Sequence, residues 1–168
     1  VMLGTDCVML SDETANGQYP LESVKTMKYV IMYAEKHRPV EVRYPAYEPP
    51  HTRQVAISKA ILNLAENIDA AAVVAETRSG ATALQIASYR SSVPLIAVTS
   101  EVRTAQQLTL VYGVKSYVRP VHAEAAHRLT DWLLRQKILH KGNTVITVSG
   151  KYPGRVGTTD TIKVRVLE

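Results

Sequence analysis

Ala71-Ala-Val-Val-Ala-Glu-Thr-Arg-Ser-Gly-Ala-Thr-Ala-Leu-Gln-Ile-Ala-Ser-Tyr89 decides how this chain folds. Ala71 to Ala75 is a short apolar run of the kind that forms a strand buried on both faces. It ends in a polar turn, Glu76 to Gly80. Ala83, Leu84 and Ala87 then recur at helical spacing, so the segment reads as strand, tight turn and helix. The turn carries the hydroxyls of Thr77, Ser79 and Thr82, a glycine at Gly80 and the guanidinium of Arg78. Free backbone N–H groups and the positive end of the helix dipole meet there, which suits an anion such as a phosphate. Ordinary capping, with Ser79 or Thr77 satisfying the first helical turn, is the competing reading of the same residues.

On either side the chain alternates strands and helices. Gln54 to Asn67 is an amphipathic helix, with Val55, Ile57, Ala60, Ile61, Leu64 and Ala65 on its apolar positions. Val93 to Val98 is a second buried strand, and Thr99 or Ser100 is placed to cap a helix from Glu101 to Leu110, closed by Tyr112-Gly113. Ser116 to Arg119 is a brief third strand. A helix over 123–136 carries the single tryptophan, Trp132, beside Leu129 and Leu133. After a turn at Lys141-Gly142 comes a fourth strand, Thr144 to Ser149. A glycine- and threonine-rich loop over 150–159 follows, then a last strand alternating Ile162, Val164 and Val166. This pattern predicts a three-layer α/β domain with a mostly parallel five-stranded sheet. The last strand follows a loop instead of a helix, so it should run antiparallel at an edge. In such sheets ligands bind beyond the carboxyl ends of the strands. If the first and fourth strands are neighbours, their two following loops face one cleft. The second loop contributes Lys151, Arg155, Gly157 and Thr158, against the bland reading of a solvated connection.

Before this domain, Cys7 to Leu10 reads as a buried strand, Ser11 to Pro20 as a loop rich in functional groups, and Pro20 to Lys36 as a helix with Val24, Met27, Ile31 and Ala34 on one face. Strand, loop and helix is the unit of a (β/α)8 barrel. Prolines at 39, 45, 49 and 50 break the pattern, so the expected organisation is a barrel remnant over 1–36, a linker over 37–52 and the α/β domain over 53–168.

Composition narrows the function. The 168 residues are 46% hydrophobic and 21% charged, as in ordinary globular proteins, and the net charge is +5. Lys and Arg are spread along the chain without a dense basic run, so nucleic acid is not the expected partner. One cysteine, Cys7, leaves no internal disulfide and no cysteine metal site, which fits a reducing cytosol. No apolar run reaches the roughly 20 residues of a membrane span, and the first residues lack the pattern of a signal peptide. The five histidines stand in no metal-ligand or Ser/His/Asp arrangement. No dinucleotide or Walker glycine pattern is present. A small phosphorylated ligand is the expected partner.

Gly4-Thr-Asp-Cys-Val-Met-Leu-Ser-Asp-Glu-Thr-Ala-Asn-Gly-Gln-Tyr-Pro-Leu-Glu-Ser-Val24 resembles the last barrel strand, loop and helix of the pyruvate kinase family. Thr77-Arg-Ser-Gly-Ala-Thr82, Pro94 to Thr99, Arg103 to Leu108, Lys141-Gly142 and Gly157-Thr-Thr-Asp-Thr161 resemble that family's C-terminal domain. The resemblance implies glycolytic transfer of phosphate from phosphoenolpyruvate to ADP by a cytoplasmic homo-tetramer. It places the catalytic residues, and the Mg²⁺ and K⁺ they use, in earlier barrel strands outside these residues, so this chain alone should be catalytically inactive. Ser11 and Glu13 match positions bordering the active site, and Asp12 departs from the small residue usual between them. By position, Thr77, Ser79 and Thr82 would hold one phosphate of an allosteric effector, with Gly157 and Thr158 closing over it. Ala81 stands where the family often has Arg or Lys. A free-standing sugar-phosphate-binding or isomerase-like domain is the alternative, and a purely structural dimerisation domain a third.

Overall fold

A computed structural model describes residues 4–37, 52–152 and 157–168. The chain divides into two units, Val1–Tyr47 and Glu48–Glu168. Apart from His37 and Thr52 at its ends, the predicted linker lies outside the described residues.

In the first unit, a four-residue turn of helix, α1 (Asp12–Ala15), precedes α2 (Pro20–Lys36). Pro20 opens α2 as its sequence position suggests, since its missing N–H would be unpaired there in any case. Cys7 to Leu10 is not a strand. An extended segment becomes a strand only by exchanging backbone hydrogen bonds with a neighbour, and no strand of this unit is present among the described residues. Leu21, Val24, Tyr29, Val30, Met32 and Tyr33 of α2 are exposed.

The second unit is built from α3 (Arg53–Asn67), β1 (Ala72–Glu76), α4 (Ala81–Ala87), β2 (Leu95–Thr99), α5 (Val102–Leu108), β3 (Val114–Val118), α6 (Ala125–Arg135), β4 (Thr144–Gly150) and β5 (Thr159–Val166). The strand order is β3-β2-β1-β4-β5. β1 pairs in parallel with both β2 and β4, β2 with β3, and β5 runs antiparallel to β4 at the edge. This is the expected five-stranded, mostly parallel sheet.

Alternation along β1 divides the core into two layers. Val73 and Ala75 point into a cluster with Ile61 and Ala65 of α3, Ile86 of α4 and Leu108 of α5. Ala72 and Val74 point into the other, with Leu129 and Leu133 of α6 and Val145 of β4. With helices on both faces, a polar side chain inside either layer would have to forgo hydration, so the central strands are apolar along nearly their whole length. Leu133 is fully buried; truncating such a side chain to Ala typically costs about 2–5 kcal/mol.

Several local expectations shift. The N-cap of α4 is Gly80, in the left-handed region at φ 86°, and not Thr77 or Ser79. The N-cap of α5 is Glu101, and the helix is shorter than predicted, ending at Leu108. Thr99 Oγ1 instead accepts from the Glu101 N–H at 3.2 Å, organising the turn before the helix. Gly113, at φ 71°, turns the chain into β3 and does not cap α5.

Candidate functional site

The chain leaves β1 for β2 and β3 on one side, then returns across the sheet to β4 on the other side of β1. β1 and β4 therefore flank the topological switch point, where the loops after the two strands diverge and leave a crevice. An open cleft with about 630 Å³ of empty space, counted out to its mouth, lies there.

Of the residues singled out from sequence, Thr77, Arg78, Ser79, Thr82, Gly157 and Thr158 line this cleft. Gly80 and Lys151 do not, and Arg155 lies outside the described residues. Gly80 shapes the turn: its N–H donates to Thr77 Oγ1 at 2.9 Å, and its positive φ lets α4 start immediately. Thr77 is buried, and because its oxygen accepts from Gly80, its own proton remains to be donated. The Lys151 ammonium sits 5.6 Å from the Tyr152 ring centroid, and its backbone N–H donates to Asp160 Oδ1 at 3.1 Å.

The two loops are joined. Thr82 Oγ1 and Thr159 Oγ1 lie 2.8 Å apart. One of these hydroxyls donates to the other, so the pair keeps one proton to offer. Gly150, where β4 ends, makes close approach possible: a Cβ there would meet Thr158 Oγ1 at 2.5 Å and Thr158 O at 2.6 Å. The β1–α4 turn is also tied to α5, since the Arg78 carbonyl accepts from Thr104 Oγ1 at 2.9 Å.

Further cleft residues were not evident in the sequence. Glu76 is the last residue of β1, opposite Val98, and not the first of the turn. Its Oε1 accepts the Ala126 N–H at 2.8 Å, which satisfies one of the orphan donors that begin α6. Burial pushes this carboxyl above its ordinary value, against the smaller opposing effects of that hydrogen bond and the Lys163 charge. Ser100 after β2, and Arg119 and His122 after β3, complete the lining. Arg119 stacks its guanidinium 4.7 Å from the Trp132 ring centroid. His122 accepts the Glu124 N–H on Nδ1 at 3.0 Å, leaving Nε2 as the nitrogen to carry a proton. The signal for these residues was the rule that every parallel strand delivers its following loop to the same rim. Strand order, needed to apply it, is not written in any one segment.

Among the described residues, the charged lining groups are Arg78 and Arg119 against Glu76. Arg78 Nε is 3.4 Å from Glu101 Oε1, with both side chains about half exposed, so this ion pair holds the guanidinium only weakly. Hydroxyls, two arginines and tight backbone make the cleft suited to a small anionic, hydroxyl-bearing molecule.

In the first unit, Ser11 is the N-cap of α1, and its N–H donates to Glu13 Oε2 at 2.8 Å. That hydrogen bond, with one from Glu13's own N–H, holds the Glu13 carboxyl below its usual range. Among the described residues, no three His, Cys, Asp or Glu side chains gather to hold a metal ion.

Fold and cleft together define a doubly wound α/β domain with an open crevice at its switch point. A family model described as "Pyruvate kinase, alpha/beta domain" matches residues 55–165, and the chain belongs to the pyruvate kinase family. It is 37% identical to the pyruvate kinase of Geobacillus stearothermophilus over 171 residues, covering 98% of this chain and 29% of the relative. With the pyruvate kinase of Mycobacterium intracellulare the identity is 33%, covering 98% of this chain and 35% of the relative. A crystal structure of a pyruvate kinase from Cryptosporidium parvum superposes with a TM-score of 0.76 at 28% identity, covering 98% of this chain and 34% of that one. The chain thus spans about a third of the length of these relatives, and it corresponds to their C-terminal region.

Proposed function

We propose that this chain is the regulatory and assembly region of a pyruvate kinase, and that its switch-point cleft holds a phosphorylated effector. The observation that carries the reading is the hydrogen bond between Thr82 and Thr159, which joins the turn after β1 to the start of β5 across one cleft lined by hydroxyls. The phosphate would sit against Thr77, Ser79 and Thr158, with Arg78 balancing its charge. Ala81 adds no cation, so Arg78 and Arg119 are the described cations that line the cleft.

The reaction of the whole enzyme, phosphoenolpyruvate with ADP to give pyruvate and ATP, belongs in this proposal to the rest of the chain. So do Mg²⁺ and K⁺. Phosphoryl transfer depends on metal and cationic positioning of the transferred group, and this chain alone should be catalytically inert. Assembly into a homo-oligomer, a tetramer in the parent enzyme, is supported by the edge strand β5, whose Val164 and Val166 are exposed. A cytosolic setting is consistent with the single cysteine, Cys7. No helix among the described residues is long and apolar enough to cross a membrane. The family match leaves no observation favouring the free-standing isomerase-like alternative.

Thermal unfolding followed by the fluorescence of Trp132 tests the proposal. A ligand bound only by the folded state at a hundred times its Kd adds about 2.7 kcal/mol of stability. Millimolar glucose 6-phosphate, ribose 5-phosphate, fructose 1,6-bisphosphate or AMP should raise the melting temperature. Failure of all four would overturn the effector reading, and ATP formation from phosphoenolpyruvate by this chain alone would overturn the assignment of catalysis elsewhere.

A further inference from the structure

Basic residues that are scattered along the sequence are gathered by the fold at the β3 edge of the sheet, on the face that carries α6. Alternation along β3 turns Ser116 toward α5, where its Oγ donates to the Ala105 carbonyl at 2.7 Å. Lys115, Tyr117 and Arg119 therefore point the other way, toward α6. On α6, helical spacing puts Arg128 and Arg135 one turn to either side of Trp132. Strand and helix thus each present an aromatic ring between two cations. The two rows touch: the Tyr117 and Trp132 rings meet edge to face, with centroids 5.5 Å apart. The Arg119 guanidinium lies 4.7 Å from the Trp132 centroid, and Lys115 Nζ lies 5.7 Å from that of Tyr117. Lys115, Arg128 and Arg135 are exposed, and each ring is half-buried, with part of it accessible.

Among the described residues, none of these four cations is within 4.0 Å of a carboxylate. Asp131, the carboxylate within α6, is held by Arg165 of β5 at 2.7 Å. Arg128 stands in the first turn of α6, at the positive end of the helix dipole, where a cation does nothing for helix stability. Like charges gathered without counter-charge repel one another, and an anion from outside relieves that repulsion. Strand addition by an acidic peptide is disfavoured at this edge. Arg119 Nη1 already donates to the Val118 carbonyl at 2.8 Å, and a lysine on an edge strand blunts further pairing.

We infer that this face binds single-stranded nucleic acid without reading its sequence. Lys115, Arg119, Arg128 and Arg135 take phosphates, and unpaired bases stack against Tyr117 and Trp132, since every base has a π-face and cations between rings track the backbone. The inference does not depend on the effector reading: of these six residues, only Arg119 also lines the switch-point cleft.

Fluorescence anisotropy of a short labelled oligouridylate, titrated with the full chain, tests this. At about 50 mM salt the dissociation constant should fall between about 1 and 100 μM, the range of sequence-independent binding. The logarithm of the affinity should fall with that of the salt concentration at a slope of about −3, for four phosphate contacts on a single strand. Replacing two exposed charges together, Arg128→Gln with Arg135→Gln, should make the slope shallower by about 1.4 and weaken binding about tenfold or more. Tyr117→Leu should weaken binding about fivefold or more and leave the slope unchanged, because it removes a stacking surface and no charge. The unlabelled strand should also quench Trp132 fluorescence saturably with the same constant, a readout that needs no variant and decides the matter if Tyr117→Leu does not fold. Duplex RNA, polyglutamate or phosphatidylserine vesicles binding as tightly as the single strand would overturn the proposal, since none of them offers an unstacked base. No binding of the oligouridylate, an unchanged slope in the folded double variant, or unchanged affinity in folded Tyr117→Leu would do the same. Each of those outcomes leaves the effector reading standing, because that reading is tested with sugar phosphates at the cleft.

Discussion

Thr82 in α4 and Thr159 at the start of β5 share a hydrogen bond of 2.8 Å although 77 positions separate them. Thr82 is buried, and the contact exists because β4, which delivers the second loop, pairs directly with β1, which delivers the first. Thr82→Val keeps the volume and removes the hydroxyl. The expected loss is about 1 kcal/mol, the usual net worth of one such bond, read as a lower urea midpoint by Trp132 fluorescence. An unchanged midpoint would show that the two loops are not held together by this pair.

Gly80 should resist substitution for a reason that has little to do with space. A Cβ there would make only ordinary contacts, the nearest being Thr104 Cγ2 at 3.4 Å, but the backbone sits at φ 86°. Gly80→Ala forces a side chain into the left-handed region and should cost about 1–2 kcal/mol. A variant as stable as wild type would mean that the turn relaxes to another conformation, and the Gly80 N–H to Thr77 hydrogen bond should then be absent.

A third test concerns pH. Burial raises the Glu76 carboxyl above its ordinary value of 4.5, so the folded protein holds this proton more tightly than the unfolded chain. The stability linked to that proton is fully present below the unfolded value and is lost as pH rises through the folded one. Glu76→Gln is neutral throughout. Its stability relative to wild type should therefore increase as pH rises from about 4 to 7, measured by urea unfolding at several pH values. A difference that shrinks over that range would show that the hydrogen bond from Ala126 and the Lys163 charge outweigh burial.

On the same side of the sheet, Arg165 of β5 reaches α6. Its Nη1 donates to Thr130 Oγ1 at 2.8 Å and its Nη2 to Asp131 Oδ1 at 2.7 Å. Thr130 is fully buried and Asp131 is not. Arg165→Met should cost about 1–3 kcal/mol, because a buried oxygen loses a charged donor. Asp131→Asn should cost about 1 kcal/mol or less, as for partly exposed ion pairs. Equal losses would place the energy in the ion pair instead of the buried hydroxyl.

The sheet was legible because its central strands must be apolar on both faces. Val73, Val74, Ile96 and Val98 announce themselves as short unbroken runs, and β5 betrays its edge position by alternating. The same logic misled at Cys7 to Leu10, whose run looks identical but has no strand beside it among the described residues. Half of the cleft was legible for a similar reason: Thr77 to Thr82 and the glycine-rich loop follow the two strands that turn out to be neighbours. Glu76 was hidden because its charge reads as turn, while pairing opposite Val98 keeps it in the strand. Arg119 and His122 were hidden because their approach to the cleft depends on strand order, a property of the assembled sheet.

The claim that two distant loops embrace one phosphorylated ligand is tested most directly by titrating glucose 6-phosphate into isotopically labelled protein and following backbone amide resonances. Saturable shifts concentrated in Thr77 to Thr82 and in Gly157 to Thr159, moving with a single dissociation constant, are the predicted result. Saturable shifts confined to other parts of the domain, or none at millimolar ligand, would contradict it.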